Sequence, residues 1–158
     1  MKNCKIDALD LKILKTLHFN ARLSKSKIAQ SVNLREMPCW RRVQQMEDEG
    51  IITAYTTLID QEKLGFRFQS YVQVDADVSG VTSSHEFQKA ICSFPAVQGF
   101  FNTIGDFNYL LHVVTRNVEE FHFFLEQELK AHPCVKRINS SVVLNTIKNE
   151  NSIILRLI

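Results

Sequence analysis

The sequence predicts an α+β chain in two parts: a (winged) helix-turn-helix domain over residues 1–59 and a ferredoxin-like βαββαβ domain over residues 66–158, with a linker at 60–65. Three observations carry this expectation. Apolar residues recur at helical spacing in three short segments before Gly50. From Phe66 to Val74 they alternate instead, as on a half-buried strand. Further on, two helical patterns each end in a similar return, Phe94-Pro95-Ala96-Val97 and His132-Pro133-Cys134-Val135, the echo of a split βαβ repeat.

In the first helix, Asp7 is placed as N-cap, and Leu9, Ile13, Leu14 and Leu17 form an apolar stripe that closes at Asn20-Ala21-Arg22. Ser24 caps the second, whose inward residues are Ile28, Ala29 and Val32. Asn33 follows as a left-handed terminator. The third begins near Arg35-Glu36, with Pro38 confined to its first turn, where backbone amides have no helical partner. Cys39, Val43 and Met46 face inward, which turns Met37, Trp40, Arg41, Gln44 and Gln45 outward, and Gly50 ends the run.

A short helix, a tight turn and a longer helix with a polar outer face match a DNA-binding module whose last helix enters the major groove. Arg41 suits guanine or phosphate, Gln44 and Gln45 suit adenine, and Glu36 suits cytosine. Met37, Trp40 and Arg42 complete the candidate set on that helix, and Arg22, Lys25 and Lys27 are the candidate phosphate contacts. Charge agrees. Residues 1–50 hold ten lysines and arginines against six acids, a net of +4, while the remainder carries −2.

Ile51 to Ile59 is β-branched and reads as a strand, and Asp60 to Gly65 as the linker. Beyond Phe66–Val74, Ser84 is placed as the cap of a helix with Phe87, Ala90, Ile91 and Phe94 on one face. Strands are expected at Val97–Thr103 and Phe107–Val114 around the turn Gly105-Asp106. A helix follows with Val118, Phe121, Leu125 and Leu129 inward, then a strand from Val135 to about Ile147. Ile153–Ile158 is a candidate edge strand.

Composition excludes several classes. At 45% hydrophobic and 23% charged the chain is ordinary globular material. No run approaches the roughly 18 apolar residues of a membrane span. Charge returns too soon after Met1 for a secretory signal, so a cytoplasmic protein is expected. Four cysteines and five histidines are scattered without metal or disulfide spacing, and neither metal nor cofactor is expected. No glycine-rich phosphate loop or catalytic motif is visible, so no catalytic residue is nominated.

Ile6-Asp7-Ala8-Leu9-Asp10-Leu11-Lys12-Ile13-Leu14, Ala21-Arg22-Leu23-Ser24, Pro38-Cys39-Trp40-Arg41-Arg42-Val43 and Gly50-Ile51-Ile52 together resemble the Lrp/AsnC (leucine-responsive/asparagine regulator, feast/famine) family of transcription regulators, over nearly the whole chain. The recognition helix departs from the family pattern at Arg35-Glu36-Met37 and at Gln44-Gln45. The resemblance implies double-stranded DNA as partner, a homodimer that assembles further into a tetramer of dimers, and an amino-acid effector. Gly105-Asp106-Phe107-Asn108-Tyr109 is similar to the family's effector turn, with Asn108 in place of an acid. It implies an effector set of Thr103, Gly105, Asp106, Asn108, Tyr109, Ser141, Val142 and Val143. Loss of the acid at Asn108 implies a weak or altered response that Asn108→Asp would strengthen, with apolar ligands favoured by Val142 and Val143. Two rivals share the fold: a sirohaem-decarboxylase-like enzyme and an effector sensor that no longer binds DNA. Gln98–Ile104 lacks the histidines and arginines the first needs, and retention of Lys25, Lys27, Arg41 and Arg42 speaks against the second.

Overall fold

The computed structural model describes residues 6–78 and 81–148. The chain divides into two compact units, one extending to Leu58 and the other spanning Ile59–Ile147.

The first unit is built from α1 (Ala8–Phe19), α2 (Lys25–Ser31) and α3 (Glu36–Asp48). Asp7 caps α1 through a reciprocal box with Asp10, and Ser24 caps α2 by accepting from the Lys27 amide. Asn33 sits at φ 56°, so α2 closes with the Leu34 amide donating to the Ala29 carbonyl and the Asn33 amide to Gln30. That closure makes a turn of four residues, Val32–Arg35, between α2 and α3. Gly50, at φ 72°, ends α3 the same way: the Ile51 amide reaches the Met46 carbonyl and the Gly50 amide reaches Glu47. Ile13, Ile28, Ala29, Val32, Cys39, Val43 and Met46 form the core, as their spacing predicts.

No strand forms over Ile51–Ile59, contrary to the β-branched reading. Ile51 and Ile52 pack instead on the helical core, and the Tyr55 hydroxyl donates to Glu47 at 2.6 Å. β-branched residues form a ladder only where a second strand pairs with them, and no other strand of the described chain reaches this segment. The candidate linker is an ordered turn, with the Phe66 amide donating to the Gln61 carbonyl and Gly65 at φ 90°.

The second unit follows the order β1 (Phe68–Ala76), α4 (Val81–Ser93), β2 (Val97–Asn102), β3 (Tyr109–Thr115), α5 (Val118–Phe123, continuing as a π-helical stretch Phe124–Leu129) and β4 (Val135–Val142). The antiparallel sheet runs β2-β3-β1-β4, so each βαβ half straddles the other, as in a ferredoxin-like fold. Ser70, Val72, Val74 and Ala76 of β1 are buried, and with Leu111, Val113, Phe87, Ile91 and Phe121 they make the core. Tyr71, Gln73, Leu110, His112 and Phe101 lie on the opposite face. Tyr71 stacks there on His112 at 5.0 Å, and no helix of this unit covers them.

Several boundaries differ from expectation. Helix α4 begins at Val81, so Ser84 lies inside it, accepting from the Gln88 amide group. Strand β4 ends at Val142 rather than Ile147. The candidate strand Ile153–Ile158 lies outside the described residues. In the last helix Val118 is exposed and Phe124 is buried. Phe124 joins Phe121 and Leu129 in the core, and Leu125, expected inward, packs against it half-buried.

Candidate nucleic-acid interface and effector region

Helix α3 buries Cys39, Val43 and Met46 and exposes Glu36, Met37, Arg41, Gln44 and Gln45. Gln45 is tied to Glu49 at 3.0 Å, one turn along. Arg22, Lys25 and Lys27 are exposed on the preceding turn and helix, and Arg22, Lys27 and Arg41 enter no ion pair among the described residues. Most of the candidate DNA-binding residues are therefore solvent-exposed on the helices of the first unit and the turn between α1 and α2.

Two members of that set have other occupations. Trp40 is half-buried, not outward: it packs on the helical core, and the Lys25 ammonium lies 3.8 Å from its ring centre. An indole of that size beside a small core lowers its energy by lying down on it, and its face then attracts the cation. Arg42 reaches from α3 to the start of α1. Its Nη1 donates to Asp7 Oδ2 and to Asp10 Oδ1, both at 2.7 Å. The Asp10 amide, followed by the Arg42 guanidinium, holds the Asp7 carboxyl below the usual carboxylate range, and the hydrogen bonds to the Asp10 and then the Asp7 carboxylate raise Arg42 further. Arg42, a candidate DNA-binding residue from the sequence, is thus engaged in an ion-pair network within the chain. Asp10 was the missed partner. An acid at N-cap and another three residues later was the available signal, but a capping box names no distant cation.

The effector set fares differently. Thr103 and Asn108 close the β2–β3 turn: the Thr103 hydroxyl donates to the Phe107 carbonyl, and its amide to the Asn108 carbonyl. Gly105 adopts φ 148°, and Asp106 is exposed. The Asn108 side chain points into its own sheet, where Oδ1 accepts from the Ala76 amide and Nδ2 donates to the Ala76 carbonyl. Tyr109 is 2% exposed and packs in a cluster with Phe87 and Phe100, each ring centre 5.2 Å away. Both side chains are engaged within their own unit. Ser141 pairs with Tyr71 on β1, whereas Tyr109 pairs with Val74. Three residues along the strand is about 10 Å, with β1 between them as well. Within one chain, then, Ser141, Val142 and Val143 do not meet the turn.

One residue outside the set does meet it. Arg137 of β4 donates to the Asp106 carbonyl at 3.0 Å and lies 4.3 Å from the Phe107 ring centre. Its position on the exposed side of a strand was legible, its partner was not. Among the described residues no three His, Cys, Asp or Glu side chains are grouped to hold a metal ion. No helix is long and apolar enough to cross a membrane among them.

Comparison with known proteins agrees with this architecture. Residues 6–53 match the model of a winged helix-turn-helix DNA-binding family, and residues 69–153 match that of the Lrp/AsnC ligand binding domain. The proline dehydrogenase transcriptional activator of Rhodobacter capsulatus is 31% identical over 93% of this chain and 96% of its own. An AsnC family transcriptional regulator from Agrobacterium tumefaciens superposes with a TM-score of 0.90 at 28% identity, covering 96% of this chain and 99% of that one. A transcriptional regulator from Neisseria meningitidis, solved as a complex with L-Met, superposes with a TM-score of 0.89 at 30% identity, covering 94% and 96%. With both halves matched in order and at full length, the chain belongs to the Lrp/AsnC family of DNA-binding transcriptional regulators.

Proposed function

We propose that this regulator lays the exposed face of α3 in the major groove of double-stranded DNA. Arg41, Gln44, Met37 and Glu36 face base edges, and Arg22, Lys25 and Lys27 face phosphate. The observation that carries the reading is the division of α3: Cys39, Val43 and Met46 are locked inside while Arg41 and Gln44 stand exposed. Selection of bound duplexes from random DNA tests it. An Arg41→Ala/Gln44→Ala variant that bound the selected duplex as the native protein does would overturn the assignment.

The second unit acts as the effector and assembly domain. The family description of residues 69–153 and the L-Met complex of the Neisseria relative support an amino-acid effector. Asp106 and the backbone of the Gly105 turn remain its candidate contacts. Assembly as a homodimer, and further as a tetramer of dimers, is supported by the open sheet face, where Tyr71 is 44% and Phe101 54% exposed. Relatives that regulate transcription favour a cytoplasmic regulator over an enzyme. A thermal-shift screen of the twenty amino acids tests the effector, since a ligand of the folded state raises its melting temperature. Absence of any shift would overturn that part alone.

A further inference from the structure

Two carboxylates and one guanidinium join the start of α1 to the middle of α3. Asp7 Oδ1 accepts from the Leu9 and Asp10 amides at 2.8 and 2.9 Å, leaving Oδ2 for Arg42. Asp10 Oδ2 accepts from the Asp7 amide at 3.0 Å, leaving Oδ1 for Arg42. Both hydrogens of Arg42 Nη1 are used in these bonds. The Asp10 side chain is 11% exposed and that of Arg42 33%.

The rest of the contact between α1 and α3 is apolar, through Ile13, Leu17, Cys39, Val43 and Met46. The hydrophobic drive behind that packing is non-directional. Charge-assisted hydrogen bonds are directional and short. Successive helix residues are turned by about 100°, so fixing Arg42 toward α1 fixes its neighbour Arg41 outward.

We propose that Arg42 is a positioning residue for DNA recognition: by gripping the Asp7–Asp10 capping box it sets the rotation and depth of α3, and it makes no phosphate contact of its own. The inference rests on the DNA-binding reading of α3. It separates Arg42 from Arg22 and Lys27, which are exposed and enter no ion pair among the described residues.

The test uses the full chain, a duplex selected by the native protein from random DNA, and a scrambled duplex of equal length. For Arg42→Met, affinity for the selected duplex should fall about tenfold or more, the size of one lost base contact. Affinity for the scrambled duplex and the slope of log K against log salt should stay unchanged. Asp10→Asn removes a negative charge, so simple electrostatics would strengthen binding to both duplexes; the proposal has it weaken binding to the selected one. Because the two residues share one network, the double variant should be no weaker than Arg42→Met. Circular dichroism melts keep every measurement well below unfolding. Asp10→Asn, isosteric with the native side chain, carries the test where Arg42→Met fails to fold.

Equal loss on both duplexes with a salt slope lower by about 0.9 would make Arg42 a phosphate contact and overturn the proposal. Stronger binding by Asp10→Asn would overturn it too. A native protein that selects no duplex would remove the DNA-binding reading first, and this proposal with it.

Discussion

The side chain of Asn108 hydrogen-bonds both backbone groups of Ala76: Oδ1 accepts from the amide at 3.0 Å, and Nδ2 donates to the carbonyl at 2.7 Å. This clip ties the start of β3 to the end of β1, where the pairing of β1 with β4 slips at Asp75/Ala76. A side-chain amide carries a donor and an acceptor on one flat group, whereas an ionised carboxylate only accepts.

Asn108→Asp is therefore expected to destabilise the second unit and not to strengthen an effector response, which reverses the expectation from sequence. A carboxylate would retain the bond from the Ala76 amide but face the Ala76 carbonyl without a hydrogen. Leaving that carbonyl unpaired costs about 1–3 kcal/mol. Urea denaturation of the two proteins measures it; equal midpoints would mean that the clip contributes nothing.

The ion-pair network gives the first unit a sensitivity to acid. The folded-state Asp7 carboxyl lies below its ordinary value, chiefly through the Asp10 amide and then through Arg42. A depressed carboxylate stabilises the fold at pH above its unfolded value, near 3.9, and that contribution fades as pH falls through the lower folded value. Melting temperature should therefore drop on acidification from pH 5 to pH 2 more steeply for the native protein than for Asp7→Asn. Parallel profiles would show that Asp7 does not contribute.

Trp40 is the sole tryptophan of the chain, so its fluorescence reports on Lys25 directly. Lys25→Met should alter the emission without DNA present. Trp40→Phe, which keeps an aromatic face, should hold Lys25 better than Trp40→Leu. A cation over an exposed ring is worth about 0.5–1 kcal/mol, so the two variants should differ in DNA affinity by a few-fold. Identical affinities would mean that the ring does not position the ammonium for phosphate.

Phe87 is fully buried, with Phe100, Tyr109 and His132 around it. Phe87→Ala should cost about 3–5 kcal/mol through lost burial and the cavity left behind. The loss should appear in the unfolding of the second unit, while the first unit, whose core is separate, retains its own transition. A single unshifted transition in calorimetry would contradict this.

The sequence by itself determined whatever depends on neighbours along the chain. Ile13, Ile28, Cys39, Val43 and Met46 are inward because helical spacing puts them on one stripe, and Asp7, Ser24 and Asn33 cap because their side chains or backbone satisfy groups within a turn. Alternation likewise set Ser70, Val72 and Val74 against Tyr71 and Gln73. Only the tertiary structure decided the rest. Arg42 finds Asp7 and Asp10 more than thirty residues back, and Asn108 finds Ala76 across 32 residues, so a residue read as a DNA contact and another read as a ligand contact became internal ties. Ile51–Ile59 has strand composition but no partner to complete a ladder. Periodicity and capping are properties of a segment, whereas the destination of a long polar side chain, or of a row of backbone amides, is set by whichever partner the fold carries within about 3 Å.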